Sequence, residues 1–73
     1  MAQEQVEFPI TGKLTSVNVK QGDMVAEGDV LCFIESMKME NPILAPVAGT
    51  VTEINLSEGA VVEVGDLVAI IEY

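Results

Sequence analysis

Histidine, tryptophan and arginine are absent from this 73-residue chain, and cysteine occurs once, as Cys32. A single cysteine excludes a disulfide within the chain. Without histidine or a second cysteine, the usual zinc ligand sets cannot be assembled, so no metal site is expected. Positive charge is equally scarce. Three lysines, Lys13, Lys20 and Lys38, stand against twelve acidic residues, giving a formal charge of −9. Nucleic-acid binding needs clustered Lys or Arg to neutralise phosphates, so no nucleic-acid partner is expected. Anionic membrane surfaces are disfavoured for the same reason. No apolar run approaches the ~20 residues of a membrane helix, and no direct insertion is expected. The opening residues Met1-Ala2-Gln3-Glu4-Gln5 are polar and acidic, unlike a secretory leader. With one free cysteine, they lead us to expect a cytoplasmic protein.

What the chain does have is aliphatic content: 49% of its residues are hydrophobic, mostly Val, Ile, Leu and Ala. A chain this short makes one small domain with a thin stability margin. With disulfides and metals excluded, a regular apolar core must hold it. The charge suggests a soluble, self-repelling domain that stays monomeric or meets basic partners; the bland reading is solubility alone.

The strongest signal is internal repetition. Pro9-Ile10-Thr11-Gly12-Lys13-Leu14-Thr15-Ser16-Val17-Asn18-Val19 aligns with Pro46-Val47-Ala48-Gly49-Thr50-Val51-Thr52-Glu53-Ile54-Asn55-Leu56, 37 positions later. The register continues without a gap. Gly22 falls on Gly59, Gly28 on Gly65, Asp29 on Asp66, Ile34 on Ile71 and Glu35 on Glu72. Two copies do not make a solenoid. They make two halves of one domain related by a pseudo-two-fold axis.

Each half reads as strands. Leu14, Val17 and Val19 are separated by polar residues in an imperfect period of two. Glycines at 22, 28, 59 and 65 punctuate the pattern, and Gly49 is expected at a turn with positive φ. Longer apolar strands follow at 30–35 and 67–72. No window of helical periodicity is free of Gly and Pro. The fold class is therefore all-β: about eight short strands closed as a flattened barrel or sandwich. Residues 1–5 are expected to form a flexible N-terminal segment, with the domain at 6–73.

The midpoint breaks the pattern. Glu35-Ser36-Met37-Lys38-Met39-Glu40-Asn41 links two strand-like runs through only two or three residues. Two-residue hairpins favour types I′ and II′, with positive φ supplied by Asn or Gly. Here the candidates are Ser36, Met37 and Lys38, and Met and Lys meet a steric penalty there. A locally disfavoured turn suggests a functional constraint. The bland alternative puts Met37 and Met39 into the core, with Lys38 merely solvating the tip. One repeat before Lys38 lies Met1, so the tip is the symmetry mate of the gap between the termini. Lys38 should then be exposed, at the far end of the domain from residues 1–5 and 73. A lysine that acts as a nucleophile needs burial or a neighbouring cation, and Glu35 and Glu40 supply the opposite. The remaining use for Lys38 is as a substrate, an amine that another enzyme acylates.

The Met-Lys-Met core, with Glu35 three residues before the lysine, resembles the biotin attachment motif of biotinyl domains. The likeness extends to the Gly28-Asp29 turn, the 37-residue repeat and Ala45-Pro46-Val47-Ala48-Gly49-Thr50-Val51, leaving out only residues 1–5. It implies a barrel-sandwich hybrid of two four-stranded antiparallel sheets with the lysine on a hairpin turn. It implies biotin as cofactor, in amide linkage to Lys38, with Met37, Met39 and Glu35 as flanks read by a biotin protein ligase. It implies a carrier without catalytic residues of its own, which swings CO2 from a biotin carboxylase to a carboxyltransferase or decarboxylase partner. Residues 19–22 align with 56–59 without insertion, so no protruding thumb is expected. Two alternatives remain: a lipoyl carrier of a 2-oxoacid dehydrogenase-type complex, whose tips usually read Asp-Lys-Ala, and a non-acylated interaction module. Glu72, the repeat mate of Glu35, has no lysine nearby, so a structural role for Glu35 stays open.

Overall fold

A computed structural model describes residues 2–73. Among them run eight strands: β1 (Gln3–Glu7), β2 (Gly12–Val17), β3 (Met24–Val25), β4 (Val30–Ser36), β5 (Met39–Leu44), β6 (Gly49–Ile54), β7 (Val61–Val62) and β8 (Leu67–Glu72). They form two four-stranded sheets, ordered β1-β8-β6-β3 and β5-β4-β2-β7. Every pairing is antiparallel. The 37-residue shift carries one sheet onto the other, strand for strand. Gln3 faces Glu72 in the first sheet as Glu40 faces Glu35 in the second. Even the bulges repeat, between Leu14 and Ser16 in β2 and between Val51 and Glu53 in β6. The all-β, pseudo-two-fold architecture is the one expected, and the β2–β3 link matches the β6–β7 link in length.

The core obeys the same symmetry. Its buried members fall wholly into repeat pairs: Val6 with Ile43, Phe8 with Ala45, Leu14 with Val51, Val25 with Val62, Leu31 with Val68, Cys32 with Ala69, and Ile34 with Ile71. Each sheet contributes one face of a single apolar layer, and each takes two strands from either repeat, so the two repeats fold together. Each fully buried aliphatic side chain adds about 1.5–3 kcal/mol of transfer free energy, the margin a small domain requires. Ile10, Val17 and Val19, with their mates Val47, Ile54 and Leu56, seal the edges of this layer.

The glycines divide into two physical classes. Gly22, Gly28, Gly59 and Gly65 have φ between +90° and +97° and turn the chain in open space. Aspartate carboxylates lock three of these turns, as Asp29 does by accepting a 2.8 Å bond from the Ala26 amide. Gly49 belongs to the other class, and the turn expected there is corrected. It lies inside β6 without positive φ, and a Cβ on it would strike the Glu72 carbonyl and come within 2.8 Å of Ile71. Gly12 meets the Glu35 carbonyl and Ile34 in the same way. These two glycines let neighbouring strands approach.

The N-terminal boundary also differs from the expected one. Gln3, Glu4 and Gln5 belong to β1 and pair with β8, so they are part of the sheet; Met1 lies outside the described residues. Ala2 and Tyr73 exchange two backbone hydrogen bonds of 2.9 Å, which brings the two ends of the described chain together. Phe8 pairs with Asp66 just before β8, and Gly12, four residues on, enters β2 where β4 finishes. Strand β8 thus starts near the end of β4, and the paired termini sit at its far end, away from the β4–β5 tip.

Candidate functional site

Strands β4 and β5 close on the rung Ser36–Met39, leaving Met37 and Lys38 as a two-residue loop. Both have positive φ, 54° and 65°, and they are the only non-glycine residues so placed among those described. Two positive φ values in succession are what a type I′ hairpin requires, and Asn-Gly ordinarily supplies them. Here two long side chains occupy positions that penalise a Cβ. Strand register explains why the turn must be this tight. Ile34 points into the core one step before Glu35, and Ile43 does so on the return strand. With both strands held in register by these core contacts out to the Ser36–Met39 rung, only two residues remain to close the link.

Met37 is 92% exposed and Met39 67% exposed, and Lys38 is exposed between them. The bland alternative, with both methionines packed inside, is therefore corrected. Nothing in the core holds the tip. The Asn41 side-chain amide donates to the Met39 carbonyl at 3.2 Å and braces the first residues of β5.

Beneath the tip, one row crosses the outer face of the sheet: Glu40 on β5, Glu35 on β4 and Lys13 on β2, in direct register. Glu35 is exposed, so the structure brings it to the base of the hairpin that carries Met37, Lys38 and Met39. The Thr15 hydroxyl donates to Glu40 Oε2 at 2.9 Å and lies 3.2 Å from the Phe33 carbonyl oxygen. Sequence reasoning took Glu40 only as a charge near Lys38 and overlooked Thr15 and the bond between them. The available signal was the repeat: Thr15 and Thr52 match, whereas Glu40 replaces Gln3.

The other reactive side chains lie apart from the tip. Cys32 is wholly buried, and desolvation pushes its thiol up to about 11, which removes it as a nucleophile near neutral pH. Lys13 is exposed on β2 and Lys20 in the link to β3, each in ordinary backbone. Among three lysines, only Lys38 stands on a strained, protruding turn. Chemically, this arrangement can present a primary amine to a second protein.

A family model described as "Biotin-requiring enzyme" matches residues 4–71. The gamma subunit of glutaconyl-CoA decarboxylase from Acidaminococcus fermentans is 56% identical over 39 residues, covering 53% of this chain and 27% of that subunit. A biotinylated protein TB7.3 homologue of Mycobacterium leprae is 48% identical over 42 residues, covering 58% of this chain and 59% of that one. Among solved structures, urea carboxylase of Kluyveromyces lactis superposes with a TM-score of 0.89 at 36% identity, covering 99% of this chain and 6% of that enzyme. The chain thus spans between 6% and 59% of the length of these relatives.

Proposed function

The chain belongs to the biotin-requiring enzyme family, with biotin as its cofactor, and from that premise we propose that Lys38 is the residue to which the biotin is joined. The observation that carries this reading is the tip itself. A primary amine stands exposed on a turn whose backbone is strained and whose flanking side chains contribute nothing to the core. Strain of this kind persists only where the surrounding structure over-determines it, and such positions cluster at functional sites.

The residues present fit the group. Amide formation needs an amine that the active site of a second protein can enclose, and a two-residue tip is the narrowest support a hairpin allows. Amide formation also removes the lysine charge and lengthens the side chain into a tether. When bound, biotin supplies the ring onto which a carboxyl group is loaded and from which it is passed on. The chain's own residues orient the tether. The turn aims Lys38 away from the sheets, and Met37 and Met39 give it apolar flanks that a biotin protein ligase can grip. The paired ends of the described residues, at the far end of the domain, leave the tip free to move between partners.

The function that follows is that of a biotin carboxyl carrier, itself non-catalytic and monomeric. Its partners are a biotin protein ligase, a biotin carboxylase, and a carboxyltransferase or decarboxylase. The carrier contributes reach and effective concentration, and its partners contribute the bond chemistry. Similarity to subunits of a decarboxylase and of carboxylases supports this assignment. The Met-Lys-Met tip favours biotin over lipoate as the attached group.

Intact mass spectrometry after incubation with biotin, ATP and a biotin protein ligase tests the attachment. The expected result is one biotin adduct per chain, lost in Lys38→Arg and retained in Lys13→Arg and Lys20→Arg. A lipoyl mass on protein made in cells, or an adduct that survives Lys38→Arg, would overturn the assignment.

A further inference from the structure

The rung at the base of the tip breaks a rule of sheet chemistry. Glu35 and Glu40 are direct cross-strand partners, and like charges set opposite each other destabilise a sheet. In the other half the same rung pairs Glu72 with Gln3, and no such repulsion arises. The fold therefore does not require a carboxylate at position 40. Its side chain is also tied in a way that has no counterpart. Glu40 Oε2 accepts the Thr15 hydroxyl bond, reaching from β5 past β4 to β2. Thr52, the mate of Thr15, donates to the Ile70 carbonyl at 3.3 Å and has no carboxylate partner among the described residues. The threonine is common to both halves, whereas the tie to a carboxylate exists only beneath the lysine.

The tie acts at a mechanically weak place. Strand β5 is an edge strand, held by β4 on one side only. It begins directly after two residues in strained backbone. The Glu40 side chain binds its first turn-proximal residues to the second strand inward, so three strands move as one at the foot of the hairpin. We propose that Glu40, through Thr15, is a positioning residue that straps the hairpin to the sheet and fixes the direction in which Lys38 is presented for modification. This rests on the reading of Lys38 as the attachment point. Neither Thr15 nor Glu40 touches the reacting atoms.

Two measurements on the 73-residue chain test the strap. The first is the steady-state rate of biotin loading by a biotin protein ligase, with melting temperature recorded for every variant. Glu40→Ala and Thr15→Val should each lower kcat by about five-fold, the size expected for one lost hydrogen bond, with KM little changed. Combined, they should do no worse than either alone, because both remove the same bond. Glu40→Gln, which keeps an accepting oxygen, and Thr15→Ser, which keeps the hydroxyl, should load at rates close to the unaltered chain. The second is hydrogen exchange in the absence of ligase. The amides of residues 37–41 should exchange faster in Glu40→Ala and Thr15→Val and remain protected in the two conservative variants. Loading of Glu40→Gln as slow as that of Glu40→Ala would mean that the ligase reads the charge directly, and would overturn the strap. So would unchanged exchange in Thr15→Val. Failure of the unaltered chain to accept biotin would sink the attachment reading instead, and the exchange measurement would then decide the strap alone.

Discussion

Ser36 and Met39 face each other across the last rung of β4–β5, and Tyr73 and Ala2 meet in the equivalent position at the end of β8–β1. At one of these places the chain turns within two residues. At the other the described chain begins and ends. The two sheets share strand order, bulges and a core made of matched pairs. The half that holds the termini therefore reports what the fold needs, and departures from it report something else. Those departures cluster at the tip: positive φ in Met37 and Lys38, two exposed methionines, and Glu40 where the other half has Gln3. A pseudo-symmetric domain carries its own control.

The largest effects should fall equally on both halves. Gly12→Ala and Gly49→Ala each push a Cβ into a backbone carbonyl on the neighbouring strand, and a carbonyl in a ladder cannot swing aside. Each should cost about 2–3 kcal/mol in urea unfolding, the range for overpacking in a closed structure. Gly22→Ala and Gly59→Ala meet no neighbour and should cost only about 1 kcal/mol, from φ alone. Unequal losses at Gly12 and Gly49 would break the equivalence of the halves. Equal losses at all four positions would erase the distinction between close approach and turn.

That distinction shows where the sequence was legible and where it was not. The repeat revealed the strand count, the symmetry and the placement of the tip, because those follow from which residues recur. It could not separate Gly49 from Gly59, because recurrence preserves a glycine whether it serves φ or proximity. Only three-dimensional spacing tells them apart. Residues 3–5 were misjudged for a related reason. Gln3-Glu4-Gln5 shares no residue type with its mates Glu40-Asn41-Pro42, since both segments lie on edge strands and face water. Similarity fades where the core does not constrain it, although register alone would have placed a strand there. The place of Met37 and Lys38 at the tip was legible because a violated turn preference is local. The Thr15–Glu40 bond was not, because its partners lie 25 positions apart.

A smaller effect, opposite in sign, should appear at the tip. Replacing Met37 and Lys38 by Asn and Gly installs the residues that a type I′ turn prefers and relieves two strained positions. The double variant Met37→Asn/Lys38→Gly should gain about 1–2 kcal/mol in stability and lose biotin loading completely. Thermal unfolding and streptavidin blotting read the two outcomes separately. A variant no more stable than the unaltered chain would mean that the turn holds no strain, and the conflict between stability and function would vanish from the comparison.

The smallest expected effect addresses Glu35 and Glu72, one of two acidic pairs that both halves keep, the other being Asp29 and Asp66. Glu35 and Glu72 occupy the same register, opposite Glu40 and Gln3 respectively, yet only Glu35 has a lysine within reach in sequence. Both side chains lie at the surface of the sheet, so Glu35→Gln and Glu72→Gln should each change stability by less than about 0.5 kcal/mol. Loading should distinguish them. If Glu35 is read by the ligase, its neutral amide loses a charge-assisted contact and the rate falls by about five-fold, while Glu72→Gln loads normally. If the glutamate serves the sheet instead, both variants load at the unaltered rate and both shift the melting temperature by the same amount. The pair thus separates recognition from architecture at a position where the sequence, being identical in both halves, offers no way to choose.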